Sequence, residues 1–538
     1  MKKNILRIVS LALVAIMMLL AVGCNALSRN DGKGDETWPQ GVDDNGTSEP
    51  KLEGGEETKA TEKQTQKETE KQTDDEEDLD FDGAEIKLLF RDYIANSREW
   101  RKDVIEDELD EAIALRNTKV EQDLNVKIVW KPVFSDGNDY NVYTARFHDM
   151  VQTDVNSGRH NYDISANFGY PTASGEIRDY TCDLMDKSRF PYFDFSLPCW
   201  NQSLVTDTTI AGRLHYVSGF LNLSMIDASC IIWHNKTLYD YEKKDDDPDD
   251  LQQYALEGKW TYDDLYRWVQ AFYKDNGTAS GSRDYNDTYA LLACTNDSDP
   301  MPRDVFPAAW DLDFVVEQND ETHVFNIVDN ERIDTALTRA RNLLRGYGTY
   351  NSQSAQLFAS GKAIFYMQRI YASSDENMRI RQMDDTYTIL PMPMYNTDQG
   401  MYYTTAQDYF TLMFVLDHSY SRDPIKGKEV SAFLQYANEL TYENVLGHYY
   451  TRTIQPVQPS TDYYDDIFAK SVTLFGIIIA NIKLEYSYVY SAQLNNINHL
   501  WRAATAQGAT VSLENMYLAD KTDFEAAIKS ADEWFGLS

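Results

Sequence analysis

From about residue 84 onward, apolar runs and helical stripes alternate along the chain. Ile86 to Phe90 (IKLLF) is a short apolar run that predicts a buried strand. A helix from Asp107 to Asp123 follows, because Leu109, Ile113, Val120 and Leu124 recur at helical spacing on one face. Val126 to Val133 (VKIVWKPV) predicts a second strand. Phe147, Met150, Val151 and Val155 mark a second helix, and Tyr162 to Ala166 a third strand. This β-α-β-α-β order predicts a parallel sheet between helical layers, a three-layer α/β fold class. Ligands of such sheets bind where strands end at their carboxyl edge. Here those loops begin at Arg91-Asp92-Tyr93 and Asn167-Phe168-Gly169-Tyr170.

Further along, Lys259-Trp-Thr-Tyr-Asp-Asp-Leu265 is a helix start. Thr261 can cap it, Asp264 is a short-armed capping-box partner, and both aspartates favour the positive end of the helix dipole. Leu265, Trp268, Val269 and Phe272 then form one apolar face, which makes Trp268 a core residue and Trp260 a packing residue at the entry. The most apolar later stretch, Val472 to Ile482, is too short to span a bilayer and predicts a buried helix or strand.

The first 24 residues follow a different pattern. Lys2, Lys3 and Arg7 precede an apolar run from Ile8 to Leu20, and the small residues Ala21-Val22-Gly23 lead to Cys24. That order resembles a bacterial lipoprotein signal, with Ala21 where a leucine is usual. It implies cleavage before Cys24, lipidation of its thiol, and a chain held outside the cytoplasmic membrane. Residues 25–82 are almost devoid of large apolar side chains, and KATEKQTQKETEKQTDDEEDLD is nearly pure polar low complexity. Such a segment cannot bury enough surface to order itself. A tether of roughly 55 residues would keep the globule on the order of 40 Å from its anchor.

Composition narrows the partners. The formal net charge of −37 excludes nucleic acid and docking on anionic lipid, so Cys24 alone would anchor the chain. With 36 Tyr, 22 Phe and 10 Trp, aromatic rings exceed what a core needs and are available to line a cleft. Beyond Cys24, four cysteines could form two disulfides in three connectivities. Cys182 and Cys199, joined by a loop-rich stretch, are the expected pair, whereas Cys230 and Cys294 sit in apolar runs and read as buried free thiols. No CxxC or Cys/His cluster points to zinc.

Four segments in order carry a family resemblance: WNQSLVTDTTIAGRLHYVSGFLNLSMIDASCIIWHNKTLYD, GKWTYDDLYRWVQAFYKD, GKAIFYMQRIYASSD and YTILPMPMYNTDQGMYYTTAQDYFTLMFV. Together they resemble the extracellular solute-binding proteins of carbohydrate ABC importers, in the lipoprotein form of Gram-positive bacteria. The resemblance covers about residues 83–538. It implies a two-lobed, type II periplasmic-binding-protein-like fold with a three-layer α/β sheet in each lobe. It also implies hinge strands near Ser218-Gly219-Phe220, Thr388-Ile389-Leu390-Pro391 and Tyr449 to Thr453. The first lobe would comprise 83–219 and 390–450, and the second 220–389 and 451–538. Related proteins often carry a calcium-site-like loop near 275–291, but Gly277 to Ser282 supplies too few carboxylates, so no metal and no cofactor is expected.

A sugar needs hydrogen-bonding partners for its hydroxyls and flat apolar partners for its ring faces. The candidate site residues are therefore Arg91, Asp92, Asn167, Phe168 and Tyr170 on the first lobe, with Gln407, Asp408 and Tyr409 in the return segment. On the second they are Trp310, Gln368, Arg369 and Tyr371, with Trp501 as a further aromatic. Trp310 as core, Tyr371 as a packed ring and Asp408 as a hinge brace are the alternatives, and Trp200-Asn201 reads as surface or packing. Expected partners are a saccharide, ABC permease subunits and the membrane through lipid on Cys24, with the chain itself a monomer. A surface lipoprotein presenting ligand to a sensor is the alternative. An anchored glycosidase would need two carboxyls about 5–10 Å apart. HExxH, GxSxG and GxxxxGK[ST] are all missing.

Overall fold

A computed structural model describes residues 79–92, 99–100, 105–134, 140–277, 283–296, 299–318, 321–352, 354–373, 380–407, 410–418, 424–455 and 462–537. Residues 1–24 with Cys24, most of 25–82, Tyr93, Asp408, Tyr409 and most of Gly277 to Ser282 lie outside the described residues.

The first sheet has the order β12 (Thr411–Val415), β3 (Ile164–Phe168), β1 (Ala84–Asp92), β2 (Val126–Phe134). Strands β1, β2 and β3 are parallel, with Ala84 opposite Val126 and Leu88 opposite Ile164. The connecting helices are Glu108–Asp123, capped by the Asp107 carboxylate, and Tyr140–Ser157. One strand, β12 (Thr411–Val415), returns from late in the chain and pairs antiparallel with β3. The β-α-β-α-β reading therefore holds, with an antiparallel strand added at one edge. Strand β3 runs two residues further than its apolar pattern suggests, which moves Asn167 and Phe168 from a loop into the sheet.

The second sheet begins with β4 (Cys230–Asn235) and contains β5 (Tyr273–Lys274), β6 (Thr288–Ala293), β9 (Thr349–Asn351), β10 (Ala363–Arg369) and β11 (Tyr387–Leu390). Its order is β11-β4-β10-β6-β5, with β9 also on β6. A small hairpin of β7 (Val315–Glu317) and β8 (His323–Phe325) stands apart. Strands β6 and β10 run parallel, so both direct their carboxyl ends the same way. The helix Tyr262–Ala271 starts as its sequence predicts, with the Asp264 carboxylate accepting from the Thr261 amide at 2.9 Å and hydroxyl at 2.8 Å. Trp260 and Trp268 are both buried, and Val472 to Ala480 completes the helix Asp462–Ala480.

Three extended segments run side by side where the sheets meet. Ser229 forms an antiparallel bridge with Ala406, and the Gln407 amide donates to the Ala228 carbonyl at 2.9 Å. Thr404 bridges Ile482, with the Lys483 amide donating to the Thr404 carbonyl at 2.7 Å. Of the segments named from sequence as crossings, Tyr449 to Thr453 lie in the helix Leu446–Thr453. Thr388 to Leu390 are internal to β11. Gly219 sits where a Cβ would come within 2.3 Å of Asn438 Oδ1 and 2.6 Å of the Cys199 carbonyl, so it is required for close packing, not for rotation.

The expected Cys182–Cys199 disulfide is not formed. All four described cysteines are free and buried. The Cys182 thiol is held by the Leu416 carbonyl at 3.5 Å and receives a hydrogen bond from Arg189 at 3.1 Å, while burial pushes Cys199 up to about 12. Cys230 and Cys294 are the buried thiols their apolar surroundings predict.

His234 on β4 lies between strands, its Nδ1 2.9 Å from Thr388 Oγ1 and its ring stacked on Phe365. Burial, with Lys236 adding to it, lowers its pKa to about 3. The ring is neutral in the fold, and the unfolded chain takes up a proton below about pH 6.5. Its contribution is present above that pH and lost as pH falls towards 3. Relative to His234→Gln, the wild-type protein should lose stability on acidification with a limiting slope of about 1.4 kcal/mol per pH unit. Urea unfolding of both proteins across that range measures the difference, and parallel curves would refute it.

Candidate functional site

The carboxyl end of β3 and the start of β12 form one wall of a crevice between the two lobes. Gly169 follows β3, and its amide donates to the Phe410 carbonyl at 2.9 Å. A Cβ at Gly169 would lie 2.3 Å from the Phe410 ring, so only glycine lets that ring cover the strand end. Tyr170 projects across to the second lobe. Its ring stacks on His499 with centroids 5.7 Å apart and planes 18° apart, and its hydroxyl donates to Asn496 Oδ1.

The opposite wall comes from residues 488–502, near the C-terminus. Asn495 and Asn496 are consecutive left-handed residues at φ 52° and 61°, a conformation asparagine tolerates, and they open the helix Ile497–Thr505. This turn brings Asn496 to Tyr170. Helical spacing then places His499 and Arg502 on one side, where both line the crevice with Tyr488. Burial and the Arg502 charge lower the His499 pKa, so its imidazole is neutral near pH 7 and can both donate to and accept from hydroxyl groups. Arg502 is fixed by Asp304, with Nε 3.0 and 2.9 Å from the two carboxylate oxygens. The Tyr488 hydroxyl donates to the Ala406 carbonyl at 2.7 Å, so this wall also touches a crossing strand. The space there is about 20 Å³, room for a water molecule and not for a pyranose ring.

The structure divides the sequence-derived residues into three groups. Tyr170 lies in the crevice. Gln368, Arg369 and Tyr371 gather at the carboxyl end of β10, beside the crossing strands. There Gln368 Nε2 donates to Asp299 Oδ2 at 2.7 Å, Arg369 Nη2 lies 3.4 Å from the same oxygen, and the Ile370 amide donates to the Ser229 carbonyl at 2.9 Å.

The remaining described candidates, apart from Asp92 and Gln407, serve the interior. Arg91 is fully buried, 4.0 Å above the Phe168 ring, and donates to Thr411 Oγ1 at 2.9 Å. Asn167 is enclosed within the first sheet. Trp310 and Trp501 are core rings whose indole nitrogens donate to the carbonyls of Pro393 and Arg303 at 3.2 and 3.0 Å. Trp200 is likewise buried and donates to Gln435 Oε1 at 2.9 Å, while Asn201 caps a helix. Asp92, half-buried, ends β1, and Gln407, buried, ends a crossing strand.

Sequence reasoning missed Phe410, Tyr488, His499 and Arg502. The available signal was the stretch EYSYVYSAQLNNINHLW, which mixes rings, amides and a histidine. Among the described residues no three His, Cys, Asp or Glu side chains are arranged to hold a metal ion, and no helix is long and apolar enough to cross a membrane.

Two mixed α/β lobes joined by crossing strands, with a crevice at the carboxyl end of the first sheet, define the type II periplasmic-binding architecture. The sugar-binding protein MalE from Xanthomonas citri is one solved structure with this fold; it is 11% identical over 85% of this chain and 100% of its own, with a TM-score of 0.52. Another is the cyclic alpha-maltosyl-1,6-maltose binding protein from Arthrobacter globiformis, 14% identical over 83% of this chain and 100% of its own, with a TM-score of 0.50. At such identities the likeness establishes the fold. No protein-family model matches the sequence, and no curated protein does.

Proposed function

We propose that this protein is the saccharide-capturing component of an ABC importer, anchored outside the cytoplasmic membrane through lipid on Cys24. The observation that carries this reading is the Tyr170–His499 pair, a ring stack shared between lobes in a crevice that also holds Tyr488 and Arg502. Tyr170 offers a flat face to a sugar ring, while His499, Asn498 and Arg502 offer polar groups to its hydroxyls. Arg369 and Tyr371, with Asp408 and Tyr409 in the segment after Gln407, would complete the site. The solved proteins of this fold named above bind sugars, which supports the ligand class. The lobes would meet at the crossings 228–230 and 404–407, and closure over the ligand would be the shape a permease reads.

A thermal-shift screen of mono- and oligosaccharides, with amino acids and peptides as controls, tests the ligand class. A saccharide at 100 times its dissociation constant adds about 2.7 kcal/mol of stability. Micromolar affinity, about −8 kcal/mol, is expected. Tyr170→Ala should weaken binding by about 1–3 kcal/mol in calorimetry. Unchanged affinity would remove Tyr170 from the site, and a shift with peptides alone would overturn the saccharide assignment.

A further inference from the structure

The helix Lys521–Phe535 is rooted in the second lobe and reaches the first with its last turn. Near its start Phe524 packs on Tyr517 at 5.3 Å and edge-on to Phe325 of β8 at 5.6 Å, both in the second lobe. Asp532 is held to the same hairpin. One of its carboxylate oxygens lies 2.6 Å from His323 Nδ1, and the other accepts from the His323 amide at 2.8 Å. The following residues meet the other lobe. The Trp534 ring lies 4.5 Å from the His215 ring and 5.9 Å from the Arg178 guanidinium, on segments that bridge the first sheet at Met413 and Leu416. Gly536 then turns the backbone at φ 82°, and the Leu537 amide donates back to the Asp532 carbonyl at 2.9 Å, which closes the helix end instead of letting it fray.

The tip of this helix also backs the crevice wall. Tyr488, Val489 and Ser491 line the crevice, whereas Tyr490 between them is fully buried. Its ring meets Phe535 edge-on at 5.7 Å and Tyr216 of the first lobe at 5.8 Å, and Tyr216 in turn meets Phe414 of β12 at 6.0 Å. An unbroken run of rings therefore leads from the helix tip through the crevice wall to the first sheet. Close-packed rings are either in contact or apart, and do not stretch. The crossing strands connect the lobes, and the rings add a contact that exists at one angle between them.

We propose that the helix Lys521–Phe535 is a strut that holds the two lobes in their close arrangement, with Trp534 as its grip on the first lobe. The root on Phe325, Tyr517 and His323 moves with the second lobe. Parting the lobes therefore draws Trp534 away from His215 and Arg178. A contact made in one arrangement and lost in the other shifts the balance towards the first, so the strut sets how often the crevice walls stand together without touching what lies between them.

The test places spin labels at Thr118→Cys in the first lobe and Gln253→Cys in the second, both exposed positions, with Cys24→Ser to leave no third label site. The four described cysteines are buried and take no label. Pulsed electron resonance reads the label separation without saccharide. Trp534→Ala should raise the share of the longer separation by about two- to tenfold, the factor of one aromatic contact, and Trp534→Phe should restore it. Arg178→Ala loosens the same grip from the first lobe with the helix unaltered, and should raise that share by about two- to fivefold. Only the effect on binding rests on the saccharide reading: both alanine variants should weaken saccharide affinity by no more than those factors, through faster dissociation. A distribution equal to wild type in both Trp534→Ala and Arg178→Ala overturns the strut, as does tighter saccharide binding in a variant whose labels stand farther apart. Wider separation in a protein that binds no saccharide, wild type included, supports the strut and overturns the ligand assignment instead.

Discussion

Glu99→Ala should cost the fold about 3–5 kcal/mol, the loss expected when one member of a buried charged network is removed. Glu99 is fully buried behind the crevice wall. Its two oxygens accept from Thr411 Oγ1 at 2.6 Å and from the Ser224 amide at 2.8 Å. Thr411 Oγ1 also accepts from Arg91 at 2.9 Å and from Ser224 Oγ at 2.9 Å, so the hydroxyl uses its full bonding capacity. Arg116 is buried alongside, donating to the Glu99 and Trp100 carbonyls, and burial lowers it to about 10 against the pull of the Glu99 charge. Without the carboxylate, the buried Arg91 and Arg116 guanidiniums lose its attraction. Burial pushes the Glu99 carboxyl up and Arg91 pulls it back, so the charge itself needs a test. Glu99→Gln keeps an acceptor for Thr411 and removes the charge, and should fall between wild type and Glu99→Ala in urea midpoint at constant m-value. A Gln variant as stable as wild type would mean that the carboxyl is protonated and that shape alone matters.

Trp310→Ala should destabilise by a similar amount, about 3–5 kcal/mol, while leaving saccharide affinity of the folded protein unchanged. The indole is fully buried, meets the Tyr262 ring edge-on at 5.6 Å and Phe306 at 4.5 Å, and its nitrogen is satisfied by the Pro393 carbonyl. A small side chain leaves a cavity among these rings and an orphaned carbonyl. Denaturant unfolding reads the first effect, and calorimetry with a saccharide ligand below the melting transition reads the second. A large loss of affinity without loss of stability would return Trp310 to the site.

Tyr170 and Trp310 show which part of the site is legible in the sequence. The first sheet can be read because its strands are short apolar runs separated by an amphipathic helix, a local pattern. Tyr170 follows from it, being the first large side chain past the end of β3. Asn167 and Phe168 do not, because successive side chains of a strand alternate between faces and two extra strand residues move both into the sheet. Arg91 is polar at a strand end, where a ligand contact is the natural expectation, yet its charge is spent inside the lobe on Glu99 and Phe168. Trp310 and Trp501 belong to apolar helical segments, and only packing tells such a ring from one in a cleft. His499 and Arg502 are separated from Tyr170 by more than half of the globule, so nothing local to either segment announces that they meet. The crossing strands were equally hidden, since pairing across nearly 180 residues, as between Ser229 and Ala406, leaves no periodic trace.

The four buried thiols bear on how such a chain matures. Each is enclosed separately, and burial holds Cys199 and Cys230 firmly in the protonated form. A folded thiol that does not ionise neither attacks a disulfide nor yields readily to an oxidant. The globule is therefore finished by packing alone, with no covalent step left for an oxidoreductase. It would emerge equally intact in an oxidising or a strictly reducing environment.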